Sequence, residues 1–223
     1  MNVSDALASR ITCRAFLPDP VREETVREIV DKARYAPSGG NLQPWHLFAL
    51  SGNALADLLA DVAEKMLETP RGEVPEYRVY PQDLKDPYEA RRFKCGEDLY
   101  ASIGIERADK RGRIAQFQRN FKFFGAPVGL FVYLDRTMGP PQWADTGMFL
   151  QSIMLVAREY GLHTCPQEAW AQWHKTVSSH LNPPADWMLF CGMGLGYMDK
   201  EAQVNTLRTD RASVDEIATF KFR

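Results

Sequence analysis

The sequence has few cysteines and no long uncharged apolar run. Its four cysteines, Cys13, Cys95, Cys165 and Cys191, lie far apart and form no CxxC pair. This spacing is typical of reduced, mostly buried thiols in a cytosolic protein. The apolar stretch 187–198 contains three glycines and is too short to cross a bilayer. The N-terminus lacks the basic and apolar regions of a signal peptide, so we expect a cytoplasmic protein.

Neither sign of charge dominates the composition. The chain has 27 Lys and Arg residues against 29 Asp and Glu residues, a formal net charge of −2. This balance gives no electrostatic reason to expect a nucleic acid or an anionic membrane as partner. The apolar fraction of 45% is ordinary for a globular protein and excludes a disordered or fibrous chain. At this length we expect one domain over residues 1–223 with a long insertion.

The common catalytic and nucleotide-binding motifs are also missing. The sequence has no GxGxxG, P-loop, GxSxG or HExxH pattern. Its four histidines form no metal-binding set, because no second pair matches the neighbouring His163 and Cys165. His46 at the start of a strand is expected to be a packed residue. The sequence therefore predicts no metal site and no catalytic residue supplied by the protein.

Hydrophobic periodicity predicts a chain that begins with helices and then alternates strands and helices. The expected helices cover residues 3–10, 22–35, 54–67 and 142–160, the last capped by Gly161, and another starts near Glu168. The expected strands cover residues 45–50, 127–134 and 187–191, with an extended piece at 162–166 and a strand-like run at 217–222. This order predicts an α+β fold, an α-β-α sandwich around a small mixed sheet.

Residues 69–120 differ in character from the rest of the chain. They contain four prolines, many charges and several tyrosines, with helices expected at 88–99 and 109–120. Long insertions of this kind often form lids or binding loops, and a solvated helical decoration is an equally good interpretation. The run 217–222 has no sequence neighbour with which to pair, and a second subunit is one place for it.

The first segment with a chemical signature spans residues 10–14, RITCR. Arg10 and Arg14 flank Thr12 just past a helix. Guanidinium groups bind phosphate oxygens in a bidentate manner, and the threonine hydroxyl adds a donor. Arginines at helix ends are usually only solvated, so this segment alone is a weak indication of a phosphate site.

The second segment is the loop 37–45, PSGGNLQPW. Its glycine pair allows the backbone to approach a ligand closely. Asn41 and Gln43 each offer both a donor and an acceptor. Paired amides match a ligand edge that alternates C=O and N–H groups, as the pyrimidine edge of a flavin does. The alternative is a connecting loop that satisfies only its own backbone.

The third segment, residues 165–170, has the sequence CPQEAW and opens a predicted helix. Free N–H groups at a helix start can face an anion or an electron-rich ring. The alternative is an ordinary first turn in which Glu168 interacts with the helix dipole.

Together these segments resemble the FMN-dependent nitroreductase family, in the branch with a long insertion. The resemblance rests on Arg-x-Thr-x-Arg at 10–14 and on APSGGNLQPW at 36–45. It is supported by GLGY at 194–197 and NTLRTDR at 205–211. It spans residues 4–68 and 121–220. One departure is Ala169, because many members have glycine after the corresponding Glu.

The resemblance implies an intertwined homodimer that binds FMN at its interface, with each FMN contacted by both subunits. It assigns cofactor contacts to Arg10, Ile11, Thr12, Arg14, Pro37, Ser38, Gly39, Asn41, Gln43, Pro166, Gln167, Glu168, Arg208 and Arg211. The arginines would bind the phosphate, and residues 166–168 would lie near the flavin N5 edge.

The activity implied is an FMN-dependent oxidoreductase that uses NADH or NADPH. Hydride would pass through flavin N5 to a small aromatic acceptor, a nitroaromatic or a quinone, in a ping-pong cycle. The flavin carries this chemistry, which agrees with the missing catalytic motifs. Two alternatives remain open: a reductive dehalogenase of halophenols on the same scaffold, and a non-catalytic flavin-binding protein.

Overall fold

The computed structural model describes residues 1–222. Within that range the chain forms eight α-helices and four β-strands. The helices are α1 (Val3–Ser9), α2 (Glu23–Ala33), α3 (Gly52–Glu68), α4 (Tyr88–Ser102), α5 (Lys110–Gln118), α6 (Pro140–Glu159), α7 (His174–Leu181) and α8 (Val214–Ile217). The strands are β1 (Trp45–Ser51), β2 (Val128–Asp135), β3 (His163–Gln167) and β4 (Trp187–Gly196). The α+β class is confirmed.

The four strands form one sheet in the order β1-β2-β4-β3, and each neighbouring pair is antiparallel. The expected mixed sheet is therefore wrong. Helix α6 connects β2 to β3, which lie on either side of β4. Each of these two strands is antiparallel to β4. A parallel pairing occurs only as an isolated bridge between Thr12 and Thr164 in the described residues. Strands β1 and β3 are the edges of the sheet.

Helices cover both faces of the sheet, as in the predicted α-β-α sandwich. One hydrophobic cluster joins α2 and α6 to Leu130 and Met193. The other joins α3 and α7 to Phe131 and to buried aromatic side chains such as Trp170. Because both faces are covered, β2 is buried along almost its whole length.

Strand β4 is longer than the predicted 187–191, because three glycines after residue 191 belong to it. A Cβ at Gly192 would lie 2.3 Å from the Trp170 ring, and one at Gly196 would lie 2.5 Å from Pro127. At Gly194 the nearest atoms, in Ala126 and Phe123, would be 3.2 Å away. These glycines share one face of β4, where the aromatic cluster packs directly on the backbone.

The helix predicted to start near Glu168 has two parts. Residues Glu168–Trp173 form a short 3-10 helix, and the α-helix α7 begins only at His174. The insertion fixes this start, because Glu73 accepts hydrogen bonds from the backbone N–H groups of Lys175 and Thr176 at 2.6 and 3.0 Å. A carboxylate at this position caps the helix and complements its dipole.

The predicted strand-like run 217–222 does not form a strand within one chain. Ile217 ends the one-turn helix α8, and residues 218–222 have no ladder partner in the structure. The side chains of Phe220 and Phe222 are 62% and 89% exposed. A strand needs a neighbouring strand, and a single chain supplies none here.

The insertion contains two helices close to the predicted positions, α4 and α5. A bidentate ion pair joins them, with Arg113 Nη1 and Nη2 donating to Glu97 at 2.6 and 2.9 Å. No helix among residues 1–222 is long and apolar enough to span a membrane.

The cysteines are mostly buried free thiols and His46 is a packed residue, as predicted. Cys13, Cys165 and Cys191 are buried free thiols, whereas Cys95 is exposed. Burial raises the pKa of Cys13 to about 11, which keeps this thiol protonated at neutral pH. His46 stacks on Trp187 with ring centroids 3.6 Å apart, as expected of a packed residue. The described residues contain no His, Cys, Asp or Glu cluster suited to a metal ion.

His163 is a buried histidine at the junction of α6 and β3. Arg158 Nη1 lies 3.1 Å from His163 Nδ1, and it also donates to the Leu162 carbonyl at 2.6 Å. Because a guanidinium can only donate, Nδ1 must be the acceptor. Burial, followed by the charge of Arg158, lowers the pKa of His163 to about 4. The folded protein therefore contains a neutral imidazole.

We expect this histidine to make the fold acid-sensitive. The unfolded chain binds the proton at about pH 6.5 and the folded chain only at about pH 4. The free energy of unfolding therefore falls as pH drops from 6.5 to 4, by about 2 kcal/mol at pH 5. His163→Asn keeps a neutral acceptor for Arg158 and removes this proton linkage. Urea unfolding between pH 7 and 4.5 should show a flatter pH dependence for this variant, and parallel profiles would contradict the assignment.

Candidate functional site

The first predicted segment runs beside the edge strand β3. It begins where α1 ends. Thr12 then pairs with Thr164, and the Cys13 N–H donates to the Thr164 carbonyl at 3.0 Å. The structure thus brings the RITCR segment next to the strand that leads into residues 166–168. Ile11 is buried in the core, so only its backbone is available to a ligand.

Asn205 ties the C-terminal tail to the same place. Its Oδ1 accepts from the Arg14 N–H at 2.8 Å, and its Nδ2 donates to the carbonyls of Ala15 and Asp199, each at 2.8 Å. The residue is buried, so three of its possible hydrogen bonds are made away from water. The tail that follows, with Arg208 and Arg211, therefore starts beside Arg14.

Positive charge converges at this junction. Burial, and secondly the charge of Arg211, lower the pKa of Arg10. Arg208 contributes in the same way to the lowered pKa of His163. Within residues 1–222, none of Arg10, Arg14, Arg208 and Arg211 forms an ion pair with a carboxylate. A group of arginines without acidic partners is suited to a bound anion such as a phosphate.

The third predicted segment continues along β3 from this basic group. Pro166 lies on the edge strand, where its missing N–H costs little. Gln167 is buried, and its Nε2 donates to the Asn120 carbonyl at 2.7 Å. Its Oε1 and the Thr164 hydroxyl are buried without a partner in the described structure. Residues three apart on a strand face opposite sides of a sheet, so these two oxygens do not mark one position. Buried polar atoms are normally paired, and the unpaired Gln167 Oε1 is the one that indicates a place for a ligand in this segment.

Glu168 follows at the start of the short 3-10 helix. Its residue surface is exposed, yet partial desolvation raises the pKa of its carboxyl group. The next residue, Ala169, is half-buried. The predicted α-helical N-terminus is absent here, so a row of helix N–H groups is not the feature that would face a ligand.

The second predicted segment is an exposed loop with a constrained backbone. Asn41 and Gln43 have positive φ angles of 55° and 49°, which are uncommon outside glycine. The loop is held by the Gln43 N–H, which donates to Ser38 Oγ at 3.0 Å, and by the Gly39 N–H, which donates to Asp145 Oδ2 at 3.2 Å. Pro37 is exposed beside it. Exposed amides on a strained loop are typical of a binding segment.

The structure does not bring this loop to the arginines of the same chain. The loop contacts α6 at Asp145, whereas Arg158, near the other end of α6, donates to Ser9 Oγ at 3.3 Å, next to Arg10. Thirteen helical residues separate these contacts, a rise of about 20 Å. The predicted site residues therefore form two groups at opposite ends of α6.

The sequence analysis assigns no role to three further residues that lie at this site, Asn120, Thr164 and Asn205. Asn205 lies inside the NTLRTDR segment, and its position ahead of two arginines was an available signal. Thr164 and Asn120 had none, because their roles depend on strand pairing and on contacts 47 residues apart along the chain.

The chain is similar to known proteins in both sequence and fold. A family model described as "Nitroreductase family" matches residues 7–197. The chain is 38% identical over 218 residues to the chloronitrobenzene nitroreductase of Comamonas testosteroni, covering 98% of this chain and 96% of that protein. It is 40% identical over 208 residues to a 4-nitrobenzoate reductase of Pseudomonas putida, covering 92% and 89%.

A solved structure is similar over the full length. The crystal structure of the FMN and NADPH-dependent nitroreductase NfnB from Sphigopyxis sp. strain HMH matches with a TM-score of 0.96 at 47% identity, covering 100% of both chains. A family model that covers most of the chain, relatives near 40% identity and the RITCR and PSGGNLQPW segments lead to one assignment: this chain belongs to the nitroreductase family.

Proposed function

We propose that this chain is an FMN-dependent nitroreductase that takes electrons from NADPH and reduces nitroaromatic compounds. The observation that carries the proposal is the basic group formed by Arg10, Arg14, Arg208 and Arg211 beside β3, the strand that leads to the buried Gln167. The relatives named for chloronitrobenzene and 4-nitrobenzoate reduction support the substrate class. The likeness to NfnB, an FMN and NADPH-dependent nitroreductase, supports this cofactor pair. It favours NADPH over NADH, between which the sequence did not decide.

The described residues fit FMN from its phosphate to its ring. The arginines bind the phosphate, and the Thr12 hydroxyl donates a hydrogen bond to the ribityl chain of FMN. The unpaired side-chain carbonyl of Gln167 lies further along β3, towards the flavin ring in this proposal. When bound, FMN supplies the hydride and electron transfer between donor and acceptor. The protein needs no nucleophile of its own for this reaction.

The side chains around the ring then have orienting roles. Asn120 fixes the Gln167 amide through two contacts, at 2.7 and 3.2 Å, so its carbonyl oxygen has one orientation. Glu168 places a carboxyl group of raised pKa next to it. The insertion 69–120 is a lid in this proposal, and it excludes water from the reacting groups.

A second copy of the chain completes the site in this proposal. In an isologous dimer with antiparallel α6 helices, the Asn41 loop of one copy lies beside the arginines of the other. The outer side of α6 suits such packing, because Ala144, Gly147 and Met148 are exposed there. Small and apolar residues on a helix face allow close helix contact. The predicted homodimer thus explains why one chain separates its two groups of site residues.

The tail supports the same assembly. Ala218, Phe220 and Phe222 alternate with polar residues, a strand pattern that remains unpaired in one chain. Strand β1 has a free edge, and a groove of about 700 Å³ lies between it and α2. We propose that the tail of the second copy pairs with β1 as a fifth strand.

The dehalogenase alternative is less well supported. A phenolate would need free cationic groups on the lid. Arg92, Arg107 and Arg113 of the insertion instead lie over the rings of Tyr80, Phe93 and Tyr100, at 4.1, 5.0 and 4.3 Å from the ring centroids. The charges of these three arginines are engaged by aromatic faces, although other cationic residues of the insertion, such as Arg111, remain exposed.

The activity is tested by an anaerobic absorbance titration of the purified protein. We expect a yellow protein that NADPH bleaches and that regains its colour when nitrobenzene is added. The control replaces nitrobenzene with an iodinated phenol, which should leave the protein bleached. Recovery only with the phenol would establish the dehalogenase, and a colour that NADPH never bleaches would establish a flavin-binding protein without this activity.

Arg211→Ala should weaken FMN binding on the order of 2–3 kcal/mol, because it removes a charge-assisted contact to the phosphate. The matched control is Arg111→Ala, an exposed arginine of α5. Quenching of flavin fluorescence gives both dissociation constants. An Arg211→Ala variant that binds FMN as tightly as the control would remove Arg211 from the phosphate site.

Substitution of both tail phenylalanines should dissociate the dimer. Sedimentation equilibrium of the unchanged protein should give about 50.8 kDa, twice the chain mass of 25.4 kDa. The double substitution Phe220→Ser and Phe222→Ser should lower this mass, because it removes the apolar face of the added strand. The control is Leu67→Ser, an exposed apolar residue of α3. A monomeric unchanged protein would refute the dimer.

A further inference from the structure

Few contacts hold the tail that carries Arg208 and Arg211. Asn205 is buried, but none of residues 206–222 is, and only Leu207 and Ala212 are half-buried. Hydrophobic packing therefore contributes little to the position of this segment. Its arginines donate mainly to carbonyls of the tail itself, as Arg211 Nη1 does to Asp210 at 2.7 Å. Within one chain, the part of the tail that carries Arg208 and Arg211 is therefore positioned by polar contacts, ahead of the run 218–222 that is proposed to pair with a second copy.

Helix α4 of the insertion supplies those contacts. Lys94 Nζ lies 2.7 Å from Asp210 Oδ2 and 2.6 Å from Asp98 Oδ2. One turn earlier, Arg91 Nη2 lies 3.4 Å from Glu216 Oε1. Glu216 also accepts from the Ser213 N–H at 2.8 Å and so caps α8. The tail is thus bound to α4 on both sides of Arg211.

The Lys94–Asp210 contact is a true ion pair at neutral pH. The hydrogen bond and charge of Lys94 lower the pKa of Asp210, and the two carboxylates raise the pKa of Lys94. Asp210 is also the residue directly before Arg211. A carboxylate beside a phosphate site opposes anion binding by charge alone, so its presence there indicates another role.

We propose that Lys94 is a positioning residue for the FMN phosphate, and that its ion pair with Asp210 holds Arg211 in place from the insertion. This inference rests on the proposed FMN site and adds to it. Lys94 itself contacts no phosphate. It restricts the tail before the ligand arrives, so less conformational freedom is lost when Arg211 binds the phosphate.

The proposal predicts that removing the negative charge of Asp210 weakens FMN binding instead of strengthening it. If Asp210 acted only through its charge, Asp210→Asn would tighten FMN binding, because a negative charge near the phosphate disappears. If it serves to hold the tail, the same substitution weakens FMN binding. An exposed ion pair is also screened by salt, so the effect should shrink at high ionic strength.

The test measures the FMN dissociation constants of Lys94→Gln, Asp210→Asn and the double variant. Each is measured at about 20 mM salt, where charges are weakly screened, and at about 500 mM salt, where they are strongly screened. Each single variant should bind FMN about 3- to 10-fold more weakly at low salt, as expected for loss of an exposed ion pair and its ordering effect, and the double variant no more weakly than either single one. Lys94→Arg should retain most of the affinity. The control Lys110→Gln changes an exposed lysine of α5 that forms no ion pair within residues 1–222.

Unchanged or tighter binding by Asp210→Asn would overturn the proposal, and so would additive losses in the double variant. The tail can also be followed without FMN, by the rate at which trypsin cleaves after Arg208 and Arg211. That rate should rise in Lys94→Gln and Asp210→Asn but not in Lys110→Gln. If the unchanged protein bound no FMN, the proposed function would fail. Equal cleavage rates in a protein that does bind FMN would refute this inference alone.

Discussion

The buried amide of Asn205 joins three parts of the chain that are distant in sequence. Its Oδ1 accepts from the Arg14 N–H, and its Nδ2 donates to the carbonyls of Ala15 and Asp199. An aspartate has no donor for those carbonyls, and a leucine would leave three polar groups unpaired in the core. The position of the tail, and with it the convergence of Arg208 and Arg211 on Arg10, depends on this residue.

That convergence is unfavourable in the absence of an anion. Arginines at short distance repel one another, and the lowered pKa of Arg10 is in part a sign of this repulsion. The folded chain tolerates this cost because neighbouring contacts hold the arginines together. In the proposed site a bound phosphate would relieve the repulsion, so binding of the cofactor would also stabilise the fold. The site is therefore organised before the ligand binds.

Much of this architecture could be predicted from local sequence patterns. The amphipathic helix α2 and the buried strand β2 follow from periodicity, and the three candidate binding segments were recognisable from their residue types. The antiparallel sheet and the full length of β4 could not be predicted, because strand direction and packing on glycine depend on contacts distant in sequence. The run 217–222 has a strand pattern but no strand partner within the chain, and periodicity alone cannot reveal whether a partner exists.

The three glycines on one face of β4 have a consequence for folding. Gly192, Gly194 and Gly196 give this strand little intrinsic tendency to be extended, and they supply no side chain with which to recruit a neighbour. The strand nevertheless lies inside the sheet, and Trp170 and Phe123 cover its backbone in the folded chain. The aromatic layer and the sheet therefore support each other in the folded state, and we expect them to form together. Because Trp170 and Phe123 lie far from each other and from part of β4 along the chain, we expect the folding rate to depend on contacts of long sequence separation.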